Sequence, residues 1–489
     1  MTSFVFGSRT AAGTSGDDTV PPGDGATIAV SITHGFQARN LLQTDVAPAL
    51  LDAGYQLSVL SPAADDADFQ RTFGLPGMTF RPVAASIGRA TAFFGTARRY
   101  ALANPRRNAT NNLFNEQFLR SRRPHYVFLR ALNRVVGRWR SVRDLWMSLE
   151  STMVSGRELE PVLQANRPAL LVTGTPGTEH LDALLLRCAR RLGIPSLCVV
   201  LSWDNLTSKG YMAARPDRLV VWNERMRQEA IELHDYAPED VEVAGVAHFD
   251  IYQRPTELLD RSTVCRRLGL DPGRPYVVFG TVSPFLYPHN HDLAEMLAEA
   301  TAEGKIGRHT QLVVRLHPQA VGGGRFGDTC AAYENLEERY PGTVVLDVPK
   351  VTTSGLQWAL PSDEMTWLAS LLRHAGVCVN VASTLAIDAA LTETPVVGVG
   401  FDGRERPAYE RSIRRAYDYT HYRPIVESGG APVAETFEAL LAQINAYLAD
   451  PSRDAAGRRR IAEEQAWRLD GQAGRRVAAA IARYARGHA

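Results

Sequence analysis

Residues Cys378–Phe401 read CVNVASTLAIDAALTETPVVGVGF. An apolar run ending near Ala382 is followed by Ser383-Thr384, and then by Leu385, Ile387, Ala390 and Leu391 at the spacing of one helical face. Pro395 opens a second apolar run. Two strand-length runs joined by a helix form a βαβ unit, the building block of a parallel sheet. Hydroxyls and free N–H groups at the start of that helix suit a phosphate, and the same residues also serve as ordinary caps. Asp388 follows Thr384 by one turn and shares its face.

The rhythm continues outward in both directions. In the second half, YVVFGTVS (276–283), QLVVRLHP (311–318) and GTVVLDVP (342–349) read as strands, with helices near 290–304 and 363–374. In the first half the strands are TIAVSI, QLSVLSP, ALLVTG (169–174), PSLCVVLS (195–202), RLVVWN (218–223) and VEVAGV (241–246), with a helix over 41–53. Pro, Gly and charge mark a boundary within 253–275. The expected organisation is a disordered leader (1–25), an α/β domain (26–252) with an Arg-rich helical insert (91–150), a second α/β domain (270–440) and C-terminal helices (441–489). The fold class is α/β, with two Rossmann-like domains whose parallel sheets face a central cleft.

A formal net charge of +1 argues against a global field for nucleic acid, and 45% hydrophobic residues is ordinary for a soluble globular chain. Five widely spaced cysteines, with no CxxC pair, read as reduced thiols and predict a cytoplasmic protein.

Chemistry concentrates at strand tips. Arg315 and His317 leave one face of the strand that ends RLHP, beside Ser383 and Thr384 on a neighbouring strand end. Together they supply donors for an anionic group. The pair of segments resembles the donor-binding domain of GT-B glycosyltransferases, in the branch of CDP-glycerol glycerophosphotransferases and surface-polysaccharide transferases. There an Arg-x-His-Pro tip and a Ser/Thr-Leu-x-x-(Asp/Glu)-Ala helix occur together. The matching residues are Arg315, His317 and Pro318, then Ser383, Thr384, Leu385, Asp388 and Ala389.

The resemblance implies a nucleotide-diphosphate donor between the two domains. Ser383 and Thr384 would contact its diphosphate, Asp388 its ribose, and Thr281 and Ser283 its phosphates from the preceding loop. It also implies no cofactor, no tightly bound metal, and a last helix (about 472–487) that crosses back to the first domain.

In the first half, Thr33, His34 and Gly35 follow the first strand, with Arg39 further on. By the same resemblance His34 is placed like the base that takes the acceptor proton, and imidazole has a suitable pKa. Trp203, Asp204 and Asn205 form another tip, suited to a sugar, with Asp204 as a second candidate base; the competing reading is an Asx turn with Trp203 in the core. Gly35, Arg39, Trp203 and Asn205 are the expected acceptor contacts.

The insert carries 12 Arg and three acids over 91–150. Arg130, Arg134 and Arg138 form one face and Phe128, Leu132, Val135, Trp139, Val142 and Trp146 an apolar stripe. Such a helix lies on the inner face of a membrane beside a lipid-linked acceptor, or packs as an ordinary helix. The activity expected is glycosyl transfer from a nucleotide-diphosphate sugar to a hydroxyl, without nucleic acid. The alternatives are a CDP-polyol phosphotransferase, a nucleotide-sugar 2-epimerase and a non-catalytic nucleotide-sugar-binding protein.

Overall fold

The computed structural model describes residues 18–102, 108–120, 124–137, 139–321, 330–352, 356 and 359–487. Its strands form two sheets in which every pairing is parallel. The first contains β1 (Thr27–Ser31), β2 (Gln56–Ser61), β3 (Met78–Pro82), β4 (Leu170–Thr173), β5 (Ser196–Val199), β6 (Arg218–Val221) and β7 (Val241–Val243), in the order β3-β2-β1-β4-β5-β6-β7. The second contains β8 (Tyr276–Gly280), β9 (Gln311–Arg315), β10 (Val344–Asp347), β11 (Val377–Asn380), β12 (Val396–Val399) and β13 (Val433–Ala434), in the order β10-β9-β8-β11-β12-β13. These are doubly wound, Rossmann-like orders, and the chain has the expected GT-B-like fold. Each has a switch point, β1/β4 in one and β8/β11 in the other, where ligands bind beyond the strand ends. Strands β8 and β9 are buried at every position, which is why they read as nearly unbroken apolar runs.

Several local expectations are corrected. The helix expected over 41–53 is two helices, Gly35–Leu41 and Val46–Asp52, and the first begins directly after His34. Residues 1–17 of the expected leader lie outside the described residues, whereas the end of that stretch is bound: the N–H groups of Gly23 and Gly25 donate to the carbonyls of Ala53 and Gly54. Strand β3 was missed because it is a partly exposed edge that ends in Pro82. The helix Cys330–Arg339 was also missed.

The insert is not one amphipathic rod. Its described helices are Arg89–Ala97, continued by the wider turn Arg98–Leu102, then Ala109–Arg120, Pro124–Val136 and Arg140–Met153, and the last two part at Gly137. A Cβ at Gly137 would lie 2.8 Å from the Asn133 carbonyl oxygen and 3.0 Å from that of Ala101, so only glycine fits this close approach. Of the three-arginine face, Arg130 donates to Asn112 at 2.7 Å, and Arg138 lies outside the described residues.

The last helix, Ala473–Arg486, packs on the first sheet, burying Val477, Ala478, Ile481 and Ala482 with Ile28, Leu57 and Leu170. Asp250 accepts from the N–H groups of Ala473 (3.0 Å) and Gly474 (2.8 Å), satisfying donors that a helix start leaves open. Between the two units, Tyr252 donates to Asp388 at 2.6 Å and Gln43 to the Leu360 carbonyl at 2.9 Å.

Candidate active site

The C-terminal edges of the two sheets enclose a cleft of about 220 Å³. Two backbone features shape its second-unit wall. A Cβ at Gly280 would stand 2.1 Å from Leu385 Cδ2, so glycine lets the tip of β8 meet the helix Leu385–Leu391. Ala382 has φ +43°, an uncommon left-handed conformation for a residue with a side chain. This turn presents Ser383 and Thr384 to the cleft, where they join Thr281, His317 and Asp388. Ser383 donates to Asn380 Oδ1 at 2.6 Å, which fixes its rotamer.

Arg315 lines the cleft but is not available to an anion as expected. Its guanidinium donates to Asp347 and, at 2.6 Å, to Glu364, and all three side chains are buried. Burial opposes the charge, yet the two carboxylates prevail and raise the Arg315 pKa. The guanidinium is thereby tied to the end of β10 and to the helix Asp363–Arg373. Asp347 is the register partner of Arg315 on β10, and Trp367 donates to its other oxygen at 2.9 Å.

His317 remains a donor. Its Nδ1 accepts from the Gln319 N–H at 3.1 Å, which places the neutral ring's proton on Nε2. Burial, helped by Arg315, pushes its pKa down to about 4, so near neutrality the ring is uncharged. Thr281 Oγ1 accepts from the His317 N–H at 2.7 Å, tying β8 to β9. Ser283 does not line the cleft, because its hydroxyl donates to Gln319.

The cation that faces the cleft without a carboxylate partner among the described residues is Arg39, expected on the acceptor side. It rises from the helix Gly35–Leu41, approaches Met365 Sδ at 3.7 Å and lies 5.2 Å from the centre of the Phe36 ring. Its Nε is buried without a hydrogen-bond partner. Burial lowers its pKa and the field of Asp388 opposes that shift.

His248, which the sequence did not single out, completes this wall. Asn40 Nδ2 donates to the Phe36 carbonyl at 2.8 Å, so Asn40 Oδ1 accepts from His248 Nδ1. The unprotonated Nε2 is left to accept from Arg39 Nη2 at 3.4 Å. Burial, then Arg39, holds His248 well below its ordinary pKa. Asp388, one oxygen taken by Tyr252, is pushed up to about 6 by burial.

At the β1/β4 switch point His34 precedes the Arg39 helix, with its Nε2 3.8 Å from Glu179 Oε1. Gly35 is buried as the first residue of that helix. Behind this pair, Asp182 accepts from Ser31 (2.6 Å), Gln37 (2.9 Å) and the Thr175 hydroxyl (2.6 Å), joining the end of β1, the helix Gly35–Leu41 and the loop after β4. Burial pushes Asp182 up to about 6.

The tip after β5 is corrected. Trp203 is 7% exposed and packs edge-on against His421 and Tyr422 of the second unit. Asn205 Oδ1 accepts from the Ser202 N–H at 3.1 Å, reaching back three residues to close the loop after β5. Asp204 accepts from Ser202 and Ser208, each at 2.6 Å. Burial disfavours its charge, but Lys209, His421 and these hydroxyls outweigh it and hold the carboxyl well below the usual range. Asp204 is thus engaged by two hydroxyls, with Lys209 Nζ 3.7 Å away, and it does not line the cleft.

Among the described residues no three His, Cys, Asp or Glu side chains group to hold a metal ion. The Asp-x-Asp spacing of Asp66 and Asp68 belongs to a helix start, where Asp66 accepts from the Asp68 and Phe69 N–H groups. No described helix is long and apolar enough to cross a membrane.

The sequence matches no protein-family model and no curated protein. Its fold is similar to solved structures. An S. aureus MnaA–UDP co-structure aligns with a TM-score of 0.52 at 10% identity, over 91% of this chain and 94% of that one. A UDP-GlcNAc 2-epimerase from Methanocaldococcus jannaschii, in complex with UDP-GlcNAc and UDP, aligns at 0.51 and 11% identity, over 92% and 98%. A glycosyltransferase from Rickettsia africae aligns at 0.48 and 9% identity, over 92% and 96%.

Proposed function

We propose that the chain is a glycosyltransferase that moves a sugar from a nucleotide-diphosphate donor to a hydroxyl. The observation that carries this reading is the meeting of Arg39 with His317, Ser383 and Thr384 in one interdomain cleft. A cation without a carboxylate partner, a neutral N–H donor and two hydroxyls fit a diphosphate, and they would stabilise the charge that develops as it leaves. Asp388 would meet the ribose, and Thr281 holds the β8 and β9 tips in register. The Staphylococcus and Methanocaldococcus structures hold UDP or UDP-GlcNAc on the same fold, which supports a nucleotide ligand here.

His34 takes the acceptor proton in this proposal, with Glu179 orienting the ring and stabilising the imidazolium. A 2-epimerase is the second reading, because the Methanocaldococcus structure of similar fold is a UDP-GlcNAc 2-epimerase. It needs acid and base groups in the cleft, whereas Glu364 is bound to Arg315 and Asp388 to Tyr252. Transfer of a polyol phosphate is a finer variant of the same donor chemistry.

The test is incubation with a panel of nucleotide sugars and CDP-glycerol, following release of nucleotide with and without hydroxyl acceptors. Conversion of UDP-GlcNAc to its manno isomer, with no transfer, would favour the epimerase. Turnover is expected without a divalent cation; loss with EDTA that Mg²⁺ or Mn²⁺ restores would contradict that part.

A further inference from the structure

Away from the cleft, a cavity of about 620 Å³ lies between the insert helix Arg140–Met153 and the helix His180–Leu192. Five arginines line it: Arg157, Arg187, Arg190, Arg191 and Arg215. Two are paired: Arg187 lies 2.8 Å from Glu150, which it shares with Arg98, and Arg191 lies 2.6 Å from Glu160. The other three have no ion-pair partner among the described residues. Arg190 and Arg215 donate only to the carbonyls of Arg215 (3.2 Å) and Asp235 (2.6 Å). Asp144 is the acid on the wall, and it stands 3.7 Å from Arg140. Ser148 adds a hydroxyl from the insert helix, whereas the Ser151 and Thr152 hydroxyls donate to the Ser148 carbonyl at 2.8 and 3.0 Å. A pocket of guanidinium and hydroxyl groups with surplus positive charge selects a phosphate-type anion.

The same insert helix turns a second face to solvent. Leu145, Leu149 and Met153, four residues apart, are 71%, 49% and 61% exposed, and Trp139 (56%) and Phe93 (63%) extend the ridge. Phe93 lies 6.0 Å from Trp146 of that helix. At 100° per residue this ridge adjoins the face bearing Ser148 and Thr152. Among the described residues, nine of the 15 exposed large hydrophobics fall within 87–153, so the exposure is concentrated rather than scattered.

We propose that this cavity seats the phosphate-bearing headgroup of an anionic lipid, with the Leu145–Leu149–Met153 ridge entering the acyl layer of a bilayer beside it. Charge selects this occupant. An excess of 12 Arg over three acids across 91–150 complements an anionic surface, whereas a second copy in a two-fold contact would bring like charges together. A soluble anion would leave the ridge without a role. This inference does not rest on the donor-site reading, since it concerns a separate cavity.

The experiment is co-sedimentation, at low salt and without nucleotide, with phosphatidylglycerol–phosphatidylcholine vesicles and with phosphatidylcholine alone. Wild type should partition onto the anionic vesicles and not the neutral ones. Arg157→Gln with Arg190→Gln should weaken partitioning about thirtyfold, taking each basic residue at about 1 kcal/mol. Leu145→Ser with Leu149→Ser should weaken it about tenfold. Both pairs lie on the surface, so Tm and nucleotide affinity should stay at wild-type values. Failure of wild type to sediment overturns the proposal. So does loss in the arginine pair with full retention in the leucine pair, which would mark a site for soluble phosphate or nucleic acid. Equal loss on Arg134→Gln with Arg140→Gln would indicate diffuse charge and also overturn the cavity.

Discussion

Arg39 and Arg315 both face the cleft, and their surroundings give them opposite roles. Arg315 is saturated by Asp347 and Glu364, so Arg315→Met leaves two buried carboxylates without their cation. Stability should fall by about 3–5 kcal/mol in denaturant unfolding, as for other broken buried pairs. Arg39→Ala removes a cation without a carboxylate partner, so Tm should change little. His317 supplies a pH prediction. Its folded pKa of about 4 lies below the ordinary 6.5, so between those values the unfolded chain takes up a proton that the folded chain refuses. Its contribution to stability is therefore constant above about 6.5 and declines as pH falls toward 4. His317→Asn, which keeps an acceptor for the Gln319 N–H, should flatten Tm against pH in that window relative to wild type. An unchanged slope would contradict the buried neutral ring.

At the scale of elements, the junction of β8 with the helix Leu385–Leu391 depends on Gly280. Gly280→Ala forces its new methyl into Leu385, which should cost about 1–3 kcal/mol. Leu385→Ala in the same chain should recover part of that loss, a coupling that a double-mutant cycle measures. The opposite wall depends on Asp182, where donors from the end of β1, the helix Gly35–Leu41 and the loop after β4 converge behind His34 and Glu179. Asp182→Asn places an amide N–H against those donors. Turnover should fall while nucleotide affinity holds, separating kcat from binding; loss of both together would make Asp182 purely structural.

How much of this was legible follows from range. Strand tips were readable because apolar runs end in polar residues, and the resemblance located 315–318 and 383–389. The partners of Arg315 lie 32 and 49 residues away, and the Tyr252–Asp388 bond spans 136. Asp347 did leave a signal, a carboxylate ending the run VVLD, which pairs in register with β9. Glu364 left none, since an acid in the first turn of a helix is ordinary. Trp203 and Asp204 read as a sugar platform because a turn and a binding tip share one composition, and burial alone separates them.

For the whole molecule, the two units are joined where the ligand is proposed to bind. Tyr252 reaches Asp388, Arg39 reaches Met365, and the last helix returns to the first sheet. A donor in the cleft would touch both units, so binding should also raise Tm by linkage. The most direct test of the account is calorimetric titration of nucleoside diphosphates into wild type and Arg39→Ala. The account predicts that at least one diphosphate binds wild type, and that Arg39→Ala binds it about ten- to hundredfold more weakly at unchanged Tm, the value of a charge-assisted contact. Binding of no diphosphate by wild type, or equal affinity in Arg39→Ala, would contradict it.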